Sequence, residues 1–86
     1  NEYSKENIRE IIKSIWNKIL GNEIKDYEKS FFELGGDSLG LVKIKSEIEK
    51  QMKVKVELID LINNNSINLI SNYLFSILKN RKQGFI

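Results

Sequence analysis

Apolar residues recur along the first quarter of the chain at intervals of three and four: Ile8, Ile11, Ile12, Ile15, Trp16, Ile19 and Leu20. That spacing lays one wide apolar stripe along a helix. Ser4 is placed to cap its start and Gly21 to stop it. The stripe predicts bundle core, with Trp16 a core or rim filler rather than a ligand platform. The pattern then breaks. No period holds from Gly21 to Asp37, a long connection for so short a chain, and loops of this length are usually functional or packed by their own side chains. Ile24, Tyr27, Phe31, Phe32 and Leu34 are the residues available to pin it down.

Helical spacing resumes at Ser38 and predicts a second helix to about Met52. At about 100° per residue, Leu41, Ile44, Ile48 and Met52 share one side, the predicted core stripe. Leu39, Val42 and Ser46 fall on roughly the opposite side. Two apolar side chains placed away from the core suggest a docking surface, the alternative being contact with the long loop. Lys43 and Lys45 flank that patch and suit an acidic partner. Lys53-Val54-Lys55-Val56 alternates, which predicts a short extended connector with both valines inward. Leu58, Ile59, Leu61 and Ile62 suggest a short third helix, and Asn63-Asn64-Asn65 a loop. Ser66 caps a last helix with apolar positions Ile67, Ile70, Tyr73, Leu74, Ile77 and Leu78. From about Lys79 the residues read as a fraying end or linker, and no internal repeat is visible. The sum is an all-α domain of three longer helices and one short one.

The chemistry concentrates in Phe31-Phe32-Glu33-Leu34-Gly35-Gly36-Asp37-Ser38-Leu39. An apolar anchor runs into a glycine pair able to turn tightly. Asp37 is a preferred helix cap, which leaves Ser38 exposed at the first residue of a helix. A helix start favours an anionic group, because its free N–H groups and its dipole point outward. A serine presented in this way is either a nucleophile or a place to hang a phosphate. The chain has no histidine and no cysteine. A nucleophilic serine needs a neighbouring base, usually histidine, so the partial match of Gly36-Asp37-Ser38-Leu39 to a hydrolase signature carries no hydrolytic chemistry. Without a thiol there is no disulfide, redox centre or thiolate metal site. Any thiol chemistry must be supplied by an attached cofactor.

Eighty-six residues, 41% of them apolar and none proline, predict one small folded domain over residues 1–86. Fourteen cationic side chains face twelve anionic ones for a net charge of +2. Only Arg9 and Arg81 are arginines, and aromatic residues do not interleave with a basic patch, so nucleic acid is not the expected partner. No apolar run approaches a membrane span and no signal peptide is visible; a cytoplasmic address and a monomeric domain are the expectations. The first residue is Asn1, which fits a piece of a longer polypeptide as well as a separate protein.

These residues resemble the peptidyl carrier (thiolation) domains of nonribosomal peptide synthetases, within the acyl carrier protein superfamily. The resemblance covers nearly the whole chain. It runs from Tyr3 and Ile15-Trp16 through Ile19-Leu20-Gly21, centres on Phe31 to Leu39, and continues through Asp60-Leu61 to Ser66-Ile67. It implies a four-helix bundle with a long loop between helices one and two. It further implies that Ser38 carries 4′-phosphopantetheine, added from coenzyme A by a phosphopantetheinyl transferase. The arm's thiol then holds aminoacyl, peptidyl or acyl groups as thioesters. Gly36 and Asp37 support the turn and cap, while Leu39, Val42, Lys43 and Ser46 are the implied partner-binding residues. The implied partners are adenylation, condensation, thioesterase or other tailoring domains, with no catalysis by the carrier itself. The alternative is a carrier-fold interaction domain without the arm. The chain departs from the family at the missing proline before the last helix and at Gly40, where a larger residue is usual.

Overall fold

The computed structural model describes residues 3–83, in which four helices follow one another: α1 (Lys5–Leu20), α2 (Ser38–Met52), α3 (Leu58–Asn63) and α4 (Ile67–Gln83). Helix α1 is bounded as its sequence predicts. The Ser4 side chain accepts from the Asn7 N–H, and Gly21 ends the helix in a left-handed conformation at φ 82°, its N–H donating to Asn17 O. Ile8, Ile12, Ile15 and Trp16 are buried, so Trp16 is core; Ile11, Ile19 and Leu20 pack at its margin.

Helix α1 packs against both α2 and α4, and α2 packs against α3. Leu41, Ile44, Ile48 and Met52 of α2 meet the α1 stripe in one core with Leu61 of α3 and Ile67, Ile70 and Leu74 of α4. Burial of such side chains stabilises a fold by about 1.5–3 kcal/mol each before entropy is counted. Val54 and Val56 both turn inward, as alternation predicts. Helix α2 ends at Lys53, which takes left-handed φ 56° although it is not glycine. Glu49 holds the connector that follows: its Oε2 accepts the Val56 N–H at 3.0 Å and the Lys45 ammonium at 3.1 Å. The backbone donor, then the lysine, hold its carboxyl below the usual glutamate value.

Two expectations need adjustment, one in the long loop and one at the end of α4. Phe32 does not pin the loop: it is 43% exposed, whereas Ile24 and Phe31 are buried and Tyr27 and Leu34 pack against the core. In α3 only Leu61 is buried, and Ile59 and Ile62 face solvent. Finally, α4 continues to Gln83, past the expected start of a tail at about Lys79, because the helical hydrogen bonding persists through those polar residues. Residues 84–86 lie outside the described part. Ser66 opens α4 as expected, its Oγ accepting the Leu69 N–H at 3.1 Å. No helix among the described residues is long and apolar enough to cross a membrane.

Candidate functional site

The segment that delivers Ser38 is tied down at both ends. Near its start, Asn17 Oδ1 accepts the Ile24 N–H at 2.8 Å, and Asp26 Oδ1 accepts the N–H groups of Glu28 and Lys29. Its middle is stitched to the entry of α4. Phe31 N–H donates to Asn65 O at 2.7 Å, Asn68 N–H donates to Tyr27 O at 3.1 Å, and Ser30 and Ser66 form an isolated antiparallel bridge. The Asn68 side-chain amide also donates to Glu28 Oε2.

From Ser30 the chain makes a single capped turn. Ser30 Oγ accepts the Glu33 N–H at 3.0 Å, and Glu33 Oε1 accepts the Ser30 N–H at 2.8 Å. This is a reciprocal capping box, signalled by a serine followed three residues later by glutamate. That short-range signal is legible in the sequence at Ser30 and Glu33. The turn closes with Gly35 N–H donating to Phe32 O and Gly36 N–H donating to Phe31 O, a Schellman closure. Gly35 sits at φ +101°, a conformation that costs other residues strain.

Gly36 takes no positive φ. Its requirement is steric: a methyl group there would stand 2.2 Å from Phe31 Cε2. The space beside this glycine is filled from within by the Phe31 ring, and Gly36 supports the turn by letting that ring in. Phe31 itself is wholly buried, edge-on to Trp16 at 5.1 Å between centroids.

Asp37 then caps α2, with extended backbone and Oδ1 accepting the Gly40 N–H at 2.8 Å. Ser38 is the first helical residue. Its hydroxyl is exposed and has no hydrogen-bond partner among the described residues. The amides of Ser38 and Leu39 precede the first intrahelical bond, which Leu41 makes to Asp37 O. No acid lies in the first turn of α2. An exposed hydroxyl beside free amides at a positive helix end fits a phosphodiester. The Asp37 charge offsets part of that benefit.

Leu39 is 65% and Val42 47% exposed, and Lys43 and Ser46 are exposed on the same side of α2, opposite its core stripe. Leu39 and Lys43 also line, with Asp37, Gly36, Ile19 and Leu20, a hollow of about 250 Å³ between the end of α1 and the start of α2. Val42 and Ser46 do not line it. The exposed apolar pair on α3, Ile59 and Ile62, was legible as helix but not as surface.

A family profile described as a phosphopantetheine attachment site matches residues 10–74. Bacitracin synthase 1 of Bacillus licheniformis is 34% identical over 70 residues, 81% of this chain but 1% of that protein. Tyrocidine synthase 1 of Brevibacillus parabrevis is 30% identical over 76 residues, 88% of this chain and 7% of that protein. The chain thus spans a small fraction of the synthetases it matches. Among solved structures, a free-standing peptidyl carrier protein from an uncharacterized Acinetobacter baumannii secondary metabolic pathway superposes with TM-score 0.81 at 26% identity, covering 87% of this chain and 96% of that one. The McyG A-PCP structure, complexed with phenylalanyl-adenylate, aligns with TM-score 0.74 at 27% identity over 78% of this chain and 10% of that one. The profile match over most of the chain shows that it belongs to the family of phosphopantetheine attachment-site domains, and its role is that of a phosphopantetheine-bearing carrier.

Proposed function

We propose that Ser38 is the attachment residue and that the domain carries aminoacyl, peptidyl or acyl intermediates between the enzymes of a nonribosomal peptide or hybrid assembly system. The observation that carries this reading is the exposed, unpartnered Ser38 hydroxyl at the first residue of a capped helix. The arm, transferred from coenzyme A by a phosphopantetheinyl transferase, supplies the thiol that this chain lacks. Asp37 fixes the first turn so that the Ser38 hydroxyl faces outward, and the free amides of Ser38 and Leu39 favour the phosphodiester's negative charge. The chain contributes no histidine to act as a base, so the transferase provides the catalytic groups and the domain serves as its substrate. Tethering the cargo to one small body raises its effective concentration at each active site it visits.

An adenylation domain is the first partner proposed. The McyG A-PCP structure supports this, since a chain similar in fold and at 27% identity is found there in an A-PCP protein. Condensation, thioesterase and other tailoring domains are the further partners proposed. The exposed strip of Leu39, Val42, Lys43 and Ser46 adjoins Ser38 and is the proposed docking face for these partners.

The test is intact-protein mass before and after incubation with coenzyme A and a broad-specificity phosphopantetheinyl transferase, with Ser38→Ala alongside. Gain of one phosphopantetheine by the parent alone supports the assignment. Gain by Ser38→Ala moves the site elsewhere. No gain by a folded, unmodified parent leaves a carrier-fold domain that works by binding alone.

A further inference from the structure

Gly40 is a buried glycine within the first turn of α2, where glycine is a poor helix residue. Local propensity therefore argues against it, and the contacts around it supply the reason for its presence. A methyl group at Gly40 would stand 2.8 Å from Phe31 Cζ and 3.0 Å from Phe31 Cε2. The same ring excludes a side chain at Gly36, at 2.2 Å from Cε2. One glycine lies two residues before Ser38 and the other two residues after it, and both make way for a single aromatic ring.

That ring borders the hollow beside α2, but it is held from other sides. Trp16 meets it edge-on at 5.1 Å and 70°. Its backbone is held by Asn65 O on one side and by the Gly36 N–H on the other. Close-packed interiors answer an added methyl by shifting whichever neighbour is least constrained. Here that neighbour is the opening turn of α2, whose outer face is solvent. Gly40 also donates its N–H to Asp37 Oδ1, so a shift at Gly40 reaches the cap that bounds Ser38.

We propose that Phe31 is a positioning residue for the modification of Ser38. Seated against Gly36 and Gly40, its ring sets how closely the first turn of α2 approaches the core, and so where the Ser38 hydroxyl stands, a role that rests on Ser38 being the attachment residue. Gly40, like Gly36, leaves the space in which the ring takes this seat.

The experiment measures kcat and KM for phosphopantetheinyl transfer on the parent, Gly40→Ala, Phe31→Leu and the double variant, with melting temperatures and backbone amide shifts. Leucine lacks the ring atoms that the added methyl would meet. With Phe31 present, Gly40→Ala is expected to lower kcat by about tenfold with little change in KM, since displacement of a reacting group by a fraction of an ångström slows transfer more than binding. In the Phe31→Leu background the same change is expected to cost less than about twofold, the difference measuring the coupling. The melting temperature of Gly40→Ala should stay near the parent's, because gained helix propensity opposes the crowding. Transfer to Gly40→Ala at the parent's rate, or an equal loss in both backgrounds, overturns the proposal while leaving Ser38 as the site. A parent that accepts no arm overturns the reading of Ser38 and this proposal with it. Should Phe31→Leu lose its cooperative melt, the amide shifts of Gly40→Ala decide. Displaced Ser38 and Leu39 amides over an unmoved α4 support the proposal, and unmoved ones overturn it.

Discussion

The Tyr73 hydroxyl donates to Asp60 Oδ2 at 2.6 Å, tying the last helix of the bundle to its shortest one. Helix α3 is only six residues long and buries a single side chain, Leu61. A helix of that length has little stability of its own and depends on tertiary contacts. The Tyr73–Asp60 bond is therefore a main constraint on how α3 presents Ile59 and Ile62, both exposed.

This bond has a pH signature. Burial, then the bond to Asp60, pushes the Tyr73 phenol from its ordinary 10.0 up to about 12. The folded state thus holds the phenolic proton more tightly than the unfolded chain does. The resulting stability is fully present below pH 10 and is lost as pH rises towards 12. Tyr73→Phe is expected to lose about 1 kcal/mol near neutral pH through the missing bond. It should also show a shallower fall in melting temperature across the alkaline window than the parent. An identical alkaline slope in the two proteins would show that Tyr73 titrates alike in both states.

Phe32 and Ile48 separate sequence expectation from packing. Ile48 is wholly buried at the centre of the α2 stripe. Ile48→Ala is expected to cost about 2–5 kcal/mol by leaving a cavity. Phe32 is 43% exposed and stands edge-on to Phe31, 6.2 Å between centroids. Phe32→Ala should cost about 1 kcal/mol or less. Urea unfolding at constant m-value measures both, and a larger loss at Phe32 would place its ring inside.

Leu39 and Val42 should matter to partners more than to folding. Both lie outside the core, so Leu39→Asp and Val42→Asp are expected to change stability by about 0.5 kcal/mol or less. Burying either charge against an apolar partner surface would be costly. Loading by an adenylation domain should accordingly fall while the melting temperature holds. A fall in melting temperature that matches the loss of loading would make these residues structural.

Much of the bundle is written locally. Helices α1 and α2 begin and end where periodicity, Ser4, Gly21 and Asp37 place them, because caps and apolar spacing act over a few residues. The outward presentation of Ser38 follows from the same short-range chemistry. The Ser30 and Glu33 capping box was equally local, and only the absence of a long helix after it hid the signal. The end of α4 was less legible, since polar residues at a helix end signal fraying and continuation alike.

What local pattern could not decide is which way the loop faces. Phe31 and Phe32 are identical neighbours with no period to distinguish them. Phe31 turns inward because Asn65 O and the Ser30–Ser66 bridge fix the strand-like approach of the loop to α4, a contact between residues far apart in sequence. The glycines follow from that choice: Gly35 is needed for its backbone angle, whereas Gly36 and Gly40 are needed for the space the inward-turned Phe31 ring occupies. Sequence alone determined the helices, their caps and the exposed serine, because those depend on neighbours along the chain. Only the tertiary structure decided how deeply that serine's helix is seated, because the seat is made by a side chain from another segment.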